Sequence, residues 1–137
     1  MTTRRLAFLG LLLCAALPAY ADAPLQVSGA TTVDAQKILA LVEAKPDLAI
    51  IDTRRAEDFN AGHLDGAVRL LDTDVTADAL GGIVKTKAAP VLFYCNGTKC
   101  GRAAKATETA IGLGYSQVYY YALGMEEWNK LSLPLAK

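Results

Sequence analysis

The sequence predicts an α/β domain with a small parallel sheet and helices on both of its faces. Between residues 22 and 137, short apolar runs alternate with segments whose apolar residues recur at helical spacing. Strands that are separated by helices form parallel sheets, and both faces of such sheets are covered. No repeat or linker divides this stretch, and 137 residues with 53% hydrophobic content fit one ordinary domain.

The first predicted element is a helix over residues 33–44, which precedes a strand. A polar side chain, Thr32 or Asp34, is expected to cap its start, and Pro46 blocks its continuation. The run LAII at 48–51 then predicts the first strand. The apolar residues on one face of the helix are Ile38, Leu41 and Val42.

The middle of the chain adds two further strands. A polar segment at 55–60 and a turn at Gly62 lead to the short apolar run AVRL at 67–70. The run VLFY at 91–94 predicts the third strand. Ligands of parallel sheets bind beyond the carboxyl ends of the strands, so the residues after position 94 are candidates for the site.

A second long helix, over residues 101–113, leads into the last strand. Gly112 and Gly114 are expected to end this helix. The apolar run VYYY at 118–121 then predicts a fourth strand. A final helix contains Trp128. The apolar side of the long helix consists of Ala103, Ala106, Ala110 and Leu113.

Charge and composition exclude several classes of function. The 14 basic and 14 acidic side chains give a net charge of zero, so no overall field favours nucleic acid or an anionic membrane. A structural zinc site normally has four ligands, and His63 is the only histidine, far in sequence from the cysteines. We therefore expect no nucleic-acid partner, no metal and no cofactor, while the oligomeric state stays open.

Residues 1–21 are typical of a secretory signal peptide. Arg4 and Arg5 precede an apolar run too short to span a bilayer, and small residues follow it. Cleavage after Ala21 would leave residues 22–137 as one mature domain. We expect this domain to be periplasmic or secreted, without a membrane anchor.

Cys95 is the candidate nucleophile. It leaves the third strand and enters a loop that opens a helix about six residues later. The free backbone N–H groups of such a loop and the helix N-terminus bind anions and lower the pKa of a thiol below its usual value of roughly 8.5. The residues expected to bind substrate are Asn96, Gly97, Thr98, Lys99, Cys100, Gly101 and Arg102.

Three cations follow Cys95, which is unfavourable at the start of a helix. Lys99, Arg102 and Lys105 oppose the helix dipole unless a negative group compensates them. A bound anionic substrate or the thiolate itself would provide that charge. The alternative is that these side chains are ordinary solvated surface charges.

The cysteine loop and two further motifs together resemble the rhodanese domain. The motifs are IDTRRAEDFNAGHLDGAV at 51–68 and GMEEW at 124–128, and the match spans nearly all of residues 22–137. The resemblance implies a sheet of about five strands and transfer of a sulfane sulfur through a persulfide on Cys95. The donor would be a thiosulfate-like anion or a persulfide, and the acceptor a thiol or cyanide. Asp52 and Arg54 match an Asp-x-Arg motif and would support the loop or pair with each other.

The sequence departs from the rhodanese pattern at the loop. Arg102 lies seven residues beyond Cys95, later than in many rhodaneses, and Leu123-Gly124 replaces a glycine pair, which we expect to be harmless in a turn. Cys100 is an additional thiol. It is expected either to resolve a persulfide or sulfenate on Cys95 as a disulfide, or to fill the junction between sheet and helix as a small apolar residue.

Two other functions are consistent with parts of this pattern. A cysteine phosphatase or arsenate reductase of this kind would have five residues between cysteine and arginine, whereas six, 96–101, separate Cys95 from Arg102 here. A sulfur carrier or partner-docking module without turnover of free thiosulfate would keep the same motifs. His63 is expected to bond to nearby backbone rather than act as a base, and the aromatic residues Tyr119, Tyr120, Tyr121 and Trp128 are expected in the core.

Overall fold

Five parallel strands form the sheet of this protein in a computed structural model that describes residues 22–137. They are β1 (Thr31–Thr32), β2 (Ala49–Asp52), β3 (Val68–Arg69), β4 (Pro90–Tyr94) and β5 (Gln117–Tyr121). Their order across the sheet is β1-β5-β4-β2-β3, and every neighbouring pair is parallel. The predicted fold class is therefore confirmed, and β4 is the central strand.

Among residues 22–137, four α-helices and one short 3₁₀ helix connect the strands, and a fifth α-helix follows β5. The α-helices are α1 (Ala35–Ala44), α2 (Ala56–Ala61), α3 (Ala77–Gly81), α4 (Arg102–Gly112) and α5 (Gly124–Lys130), and the 3₁₀ helix is Asp72–Asp74. Within residues 22–137, none of these helices is long and apolar enough to cross a bilayer. The predicted signal peptide lies outside the described residues.

The sheet separates two hydrophobic clusters, one on each face. Alanines of α4 and Leu80 of α3 pack with Val91 and Phe93 on one face. Ile38 of α1 and Trp128 of α5 pack with Leu92 on the other. All five residues of β4 are buried, as expected for a strand covered on both sides. This packing fixes the end of β4 firmly at the centre of the molecule.

The elements found from apolar periodicity agree with the structure to within one or two residues. The cap of α1 is Asp34, whose carboxylate accepts a hydrogen bond of 2.8 Å from the backbone of Lys37. Val42 shares the predicted apolar face but is 49% exposed, whereas Ile38 and Leu41 are buried. Gly112 belongs to α4, and the left-handed residue after the helix is Gly114, with a φ of +95°.

One strand and two α-helices were not predicted, and neither was the short 3₁₀ helix. The strand β1 consists of two exposed threonines, so it has no apolar signal and depends on its pairing with β5. The helix α2 occupies the polar segment after β2 and buries none of its residues. The helix α3 buries only Leu80. Short elements of this kind are stabilised by the tertiary structure around them rather than by their own periodicity.

Buried tyrosines make the fold sensitive to alkali. Burial, followed by the nearby charge of Asp52, raises the pKa of Tyr94 far above its ordinary value, and burial with the charge of Glu127 does the same for Tyr121. An unfolded tyrosine loses its proton near pH 10, so above that pH the folded chain binds more protons than the unfolded chain. The free energy of unfolding is thus retained below about pH 10 and falls above it, by up to about 1.4 kcal/mol per pH unit for each such tyrosine.

Urea unfolding followed by the fluorescence of Trp128 tests this expectation between pH 8 and pH 11. The Tyr94→Phe variant is expected to start less stable, because it loses a hydrogen bond, but to lose stability less steeply above pH 10 than the unmodified chain does. Equal slopes for the two proteins would contradict the assignment of Tyr94 to this effect.

Candidate active site

Cys95 lies directly after the central strand and is only 2% exposed. Its carbonyl oxygen accepts a hydrogen bond of 3.1 Å from the backbone N–H of Met125, and the next carbonyl, of Asn96, accepts one of 2.8 Å from Glu126. The first turn of α5 thereby holds the start of the cysteine loop, which we define as residues 95–101. Both hydrogen bonds join backbone atoms, so the position of Cys95 relative to α5 does not depend on any side chain.

Gly124 allows α5 to approach the cysteine loop. Its φ is +55°, and a Cβ atom built there would overlap the carbonyl oxygen of Cys95 and lie 2.9 Å from the backbone nitrogen of Gly97. Both the left-handed conformation and the close contact require glycine. Leu123, by contrast, has an ordinary φ of −72°, so the replacement of the first glycine of the pair is harmless in this turn, as expected.

We expect the Gly124→Ala substitution to destabilise the protein by about 2 kcal/mol or more, because it combines a strained backbone angle with a collision against the loop. Gly112→Ala is the matched control, because a Cβ atom at Gly112 meets nothing within 4 Å and its φ is not positive. The control is expected to be neutral or slightly stabilising. Chemical denaturation measures both variants, and equal midpoints would contradict the proposed role of Gly124.

A disulfide joins Cys95 to Cys100. The Cα atoms are 6.2 Å apart, within the range that a disulfide spans, and a 3.1 Å hydrogen bond from the backbone of Cys100 to the carbonyl of Gly97 forms the turn between them. Cys100 is partly buried and packs against the first hydrophobic cluster. It therefore fills the junction between sheet and helix and is also within bonding reach of Cys95.

The cysteine loop offers backbone donors to an anion. The N–H groups of residues 96–99 and of Gly101 donate to no protein acceptor within residues 22–137. The helix α4 begins immediately after them, and no side chain caps it. Unpaired N–H groups together with a helix N-terminus attract a thiolate or an anionic ligand.

A depression of about 610 Å³ opens beside this loop. Six of the seven predicted binding residues line it, and Thr98 does not. Thr98 instead faces a neighbouring depression, and its carbonyl accepts a 2.6 Å hydrogen bond from Ala23. The loop residues that line the larger depression are Asn96, Gly97, Lys99, Cys100, Gly101 and Arg102, and Lys105 joins them from α4.

Two carboxylates that the sequence did not indicate also line this depression. Asp72 comes from the 3₁₀ helix, and Glu126 comes from α5. The Glu126 carboxylate lies against Gly97, because a Cβ atom there would be 2.6 Å from its carboxyl carbon. The three cations near the loop are thus faced by two anions, and the net positive charge is smaller than the sequence suggested.

Asp52 and Arg54 form a buried ion pair under the cysteine loop. The guanidinium donates to the carboxylate at 2.7, 3.0 and 3.1 Å, and the Arg54 backbone N–H donates at 2.9 Å. The Tyr94 hydroxyl donates to the same carboxylate at 2.6 Å. Arg54 also donates to the carbonyl of Gly62 at 2.8 Å. The pair therefore ties the end of β2 to the end of β4 and to the turn after α2.

The remaining candidates are structural. The Nδ1 atom of His63 lies 2.9 Å from the carbonyl of Phe59, and the two rings stack with centroids 3.7 Å apart. The expectation that His63 bonds to local backbone is confirmed. Trp128, Tyr120 and Tyr121 are buried, as expected, whereas Tyr119 is only partly buried. Within residues 22–137, no group of His, Cys, Asp or Glu side chains is arranged to hold a metal ion.

The site is a cysteine at the carboxyl end of the central strand of an α/β protein, in a loop where five backbone N–H groups have no acceptor within residues 22–137. The family model of the rhodanese-like domain matches residues 34–131, and the chain belongs to this family. Every motif that carried the resemblance lies within that range.

The chain is also similar to several sequence relatives, and its fold is similar to that of solved structures. The chain is 32% identical over 94 residues to the uncharacterized protein YibN of Escherichia coli K12, with 68% of this chain and 64% of YibN covered. It thus spans less than two thirds of the length of that relative. It is also 32% identical over 101 residues to the thiosulfate sulfurtransferase GlpE of Tolumonas auensis, with 72% of this chain and 88% of GlpE covered. The solved structure of the BH2092 protein from Bacillus halodurans superposes with a TM-score of 0.69 at 21% identity, over 78% of this chain and 77% of that one.

Proposed function

We propose that this protein is a sulfurtransferase that moves a sulfane sulfur from thiosulfate or a persulfide donor to a thiol or cyanide, through a persulfide on Cys95. The position of Cys95 carries the proposal. It follows the central strand in a loop where the N–H groups of residues 96–99 and of Gly101 have no acceptor within residues 22–137, in a chain that belongs to the rhodanese-like family. The relative GlpE of Tolumonas auensis bears the name thiosulfate sulfurtransferase, which supports the same class of reaction.

The reaction begins from the reduced loop. The Cys95 thiolate attacks the outer sulfur of thiosulfate, the sulfur–sulfur bond breaks, and sulfite leaves with the electron pair. The negative charge on the resulting persulfide stays next to the N–H groups of the loop and the start of α4. An acceptor thiolate or cyanide then attacks the outer sulfur of the persulfide and releases the Cys95 thiolate.

Parallel assays with two substrates test this function. The reduced protein is expected to form thiocyanate and sulfite from thiosulfate and cyanide, and to leave an aryl phosphate intact. The six-residue spacing between Cys95 and Arg102, residues 96–101, supports sulfur transfer over phosphate transfer. Phosphate hydrolysis without thiocyanate would overturn the proposal.

We expect Arg102 to bind the charge of the donor. It begins α4, lines the depression, and is partly buried. Removing one charge-assisted hydrogen bond costs about 1.5 kcal/mol, so Arg102→Gln should raise the KM for thiosulfate by about tenfold with little change in kcat. Arg69→Gln is the matched control, because Arg69 is an exposed arginine outside the depression. A KM that is the same in both variants would contradict this role.

We also propose that the domain works outside the cytoplasm. The basic residues and the apolar run before Ala21 support export, and a disulfide between the two loop cysteines suits an oxidising compartment. Expression of the full chain in a bacterial host is expected to give a periplasmic protein whose first residue is Asp22. Recovery of the uncleaved chain from the cytoplasm would contradict this proposal.

A further inference from the structure

The two cysteines of the loop differ in their access to solvent. Cys95 is 2% exposed and does not line the depression of about 610 Å³, whereas Cys100 is partly exposed and does line it. The disulfide between them shows that the loop can bring the Cys100 sulfur onto the Cys95 sulfur without unfolding the end of β4. A thiol in that position faces whatever group Cys95 carries.

We propose that Cys100 is a built-in acceptor that releases the sulfur of the Cys95 persulfide as hydrogen sulfide. This inference depends on the proposed function, because it starts from that persulfide. The Cys100 thiolate attacks the Cys95 sulfur, a bond forms between the two cysteine sulfurs, and the persulfide bond breaks. The outer sulfur takes a proton from solvent and leaves with the electron pair as hydrosulfide.

The two reaction steps balance in atoms and electrons with thiosulfate and the two cysteines of one chain as the only reactants besides a proton. The outer sulfur of thiosulfate gains two electrons and becomes sulfide, and the two cysteine sulfurs lose one electron each and form the disulfide. The complete reaction converts thiosulfate and a reduced loop into sulfite, sulfide and an oxidised loop. The oxidised loop is the state that the structure contains.

Arg102 favours the attacking form of Cys100. Its Nη1 atom lies 3.9 Å from the Cys100 sulfur. A guanidinium at this distance stabilises a thiolate, which is the nucleophilic form of cysteine. The turn closed by the Gly97 carbonyl and the Cys100 N–H holds the two sulfurs at the same end of β4. The second step therefore needs no acceptor from solution.

A dithiol must then reduce the loop. In the oxidised loop an external thiolate reaches Cys100 rather than Cys95, because Cys100 lines the depression and the disulfide-bonded Cys95 is buried. Cys95 leaves as a thiolate next to the unpaired N–H groups, which is a favourable leaving group, and a second external thiol frees Cys100. The partner that this chemistry requires is a small dithiol or a protein with a reactive dithiol.

A single-turnover experiment tests the proposal. The full domain is reduced, freed of reductant under argon, and mixed with thiosulfate. We expect about one sulfite and about one sulfide per chain, loss of both thiols, and a mass lower by two hydrogens. The Cys100→Ser variant is expected to release sulfite, to release no sulfide, and to gain about 32 Da as a stable persulfide.

The outcomes separate this proposal from the proposed function. Sulfite with no sulfide from the unmodified protein, together with a lasting gain of about 32 Da, would overturn the role of Cys100 and leave the sulfurtransferase intact. No sulfite from either reduced protein would overturn both. If the serine variant does not fold, Cys100→Ala takes its place. Sulfide release from either variant at the level of the unmodified protein would also overturn the proposal.

Discussion

Replacement of Cys95 by serine is expected to reduce the formation of thiocyanate from thiosulfate and cyanide to the background of the assay, a loss on the order of 10³-fold or more. A serine hydroxyl has nearly the size of the thiol but forms no persulfide. Because the contacts of Cys95 with α5 are made by backbone atoms and the serine is close to it in size, the fold should tolerate the change.

Thermal unfolding of the Cys95→Ser variant, compared with the reduced unmodified protein, provides the control for folding. A midpoint within a few degrees of the reduced protein would assign the loss of activity to chemistry. Thiocyanate formation above about a tenth of the original rate would contradict the assignment, because it would require another nucleophile, for which Cys100 is the nearest candidate.

Replacement of Asp52 by asparagine is expected to lower the free energy of unfolding by about 3 kcal/mol or more. The substitution keeps the shape of the side chain but leaves the Arg54 guanidinium buried without its counter-charge, and Tyr94 loses a charged acceptor. A domain of this size has a total stability of about 5–15 kcal/mol, so the loss is a large fraction of it.

Asp65→Asn is the matched control for this change. Asp65 is an exposed aspartate of the nearby turn, and surface substitutions of this kind change stability by less than about 0.5 kcal/mol. Urea unfolding at pH 7 measures both variants, and salt should affect the Asp52 result little, because a buried pair is poorly screened. Similar stabilities for the two variants would mean that the ion pair contributes far less than its burial suggests.

Much of the sheet could be predicted from the sequence because its strands are short apolar runs. PVLFY in the centre of the sheet has no charged residue, as expected for a strand covered on both faces. The strand β1 could not be found in this way, because its two threonines are exposed and their only structural requirement is the pairing with β5, almost ninety positions further along the chain.

The site was predictable to the extent that it is local in sequence. Cys95 and the loop residues are consecutive in sequence and lie between a strand end and a helix start. That pattern alone predicts a nucleophilic cysteine beside backbone donors for an anion. Asp72 and Glu126 reach the same depression from two other elements, and their contribution depends on the fold. The GMEEW motif does mark α5, but the contact between Gly124 and the loop needs the three-dimensional structure.

The role of the cysteine pair was predictable only in part from the sequence. The sequence places the two thiols five positions apart and leaves two interpretations of Cys100 open. The structure joins them in a disulfide while packing Cys100 against the core, so the two interpretations are compatible. The role of Cys100 during turnover stays a proposal.

The central claim is that Cys95 carries the transferred sulfur. Its most direct test is mass spectrometry of the peptide containing Cys95 after the reduced Cys100→Ser variant has reacted with thiosulfate labelled by a heavy isotope in the outer sulfur. We predict that the labelled sulfur is attached to Cys95 and that the released sulfite is unlabelled. An unmodified Cys95 in a protein that still forms thiocyanate, or label in the sulfite, would contradict the account.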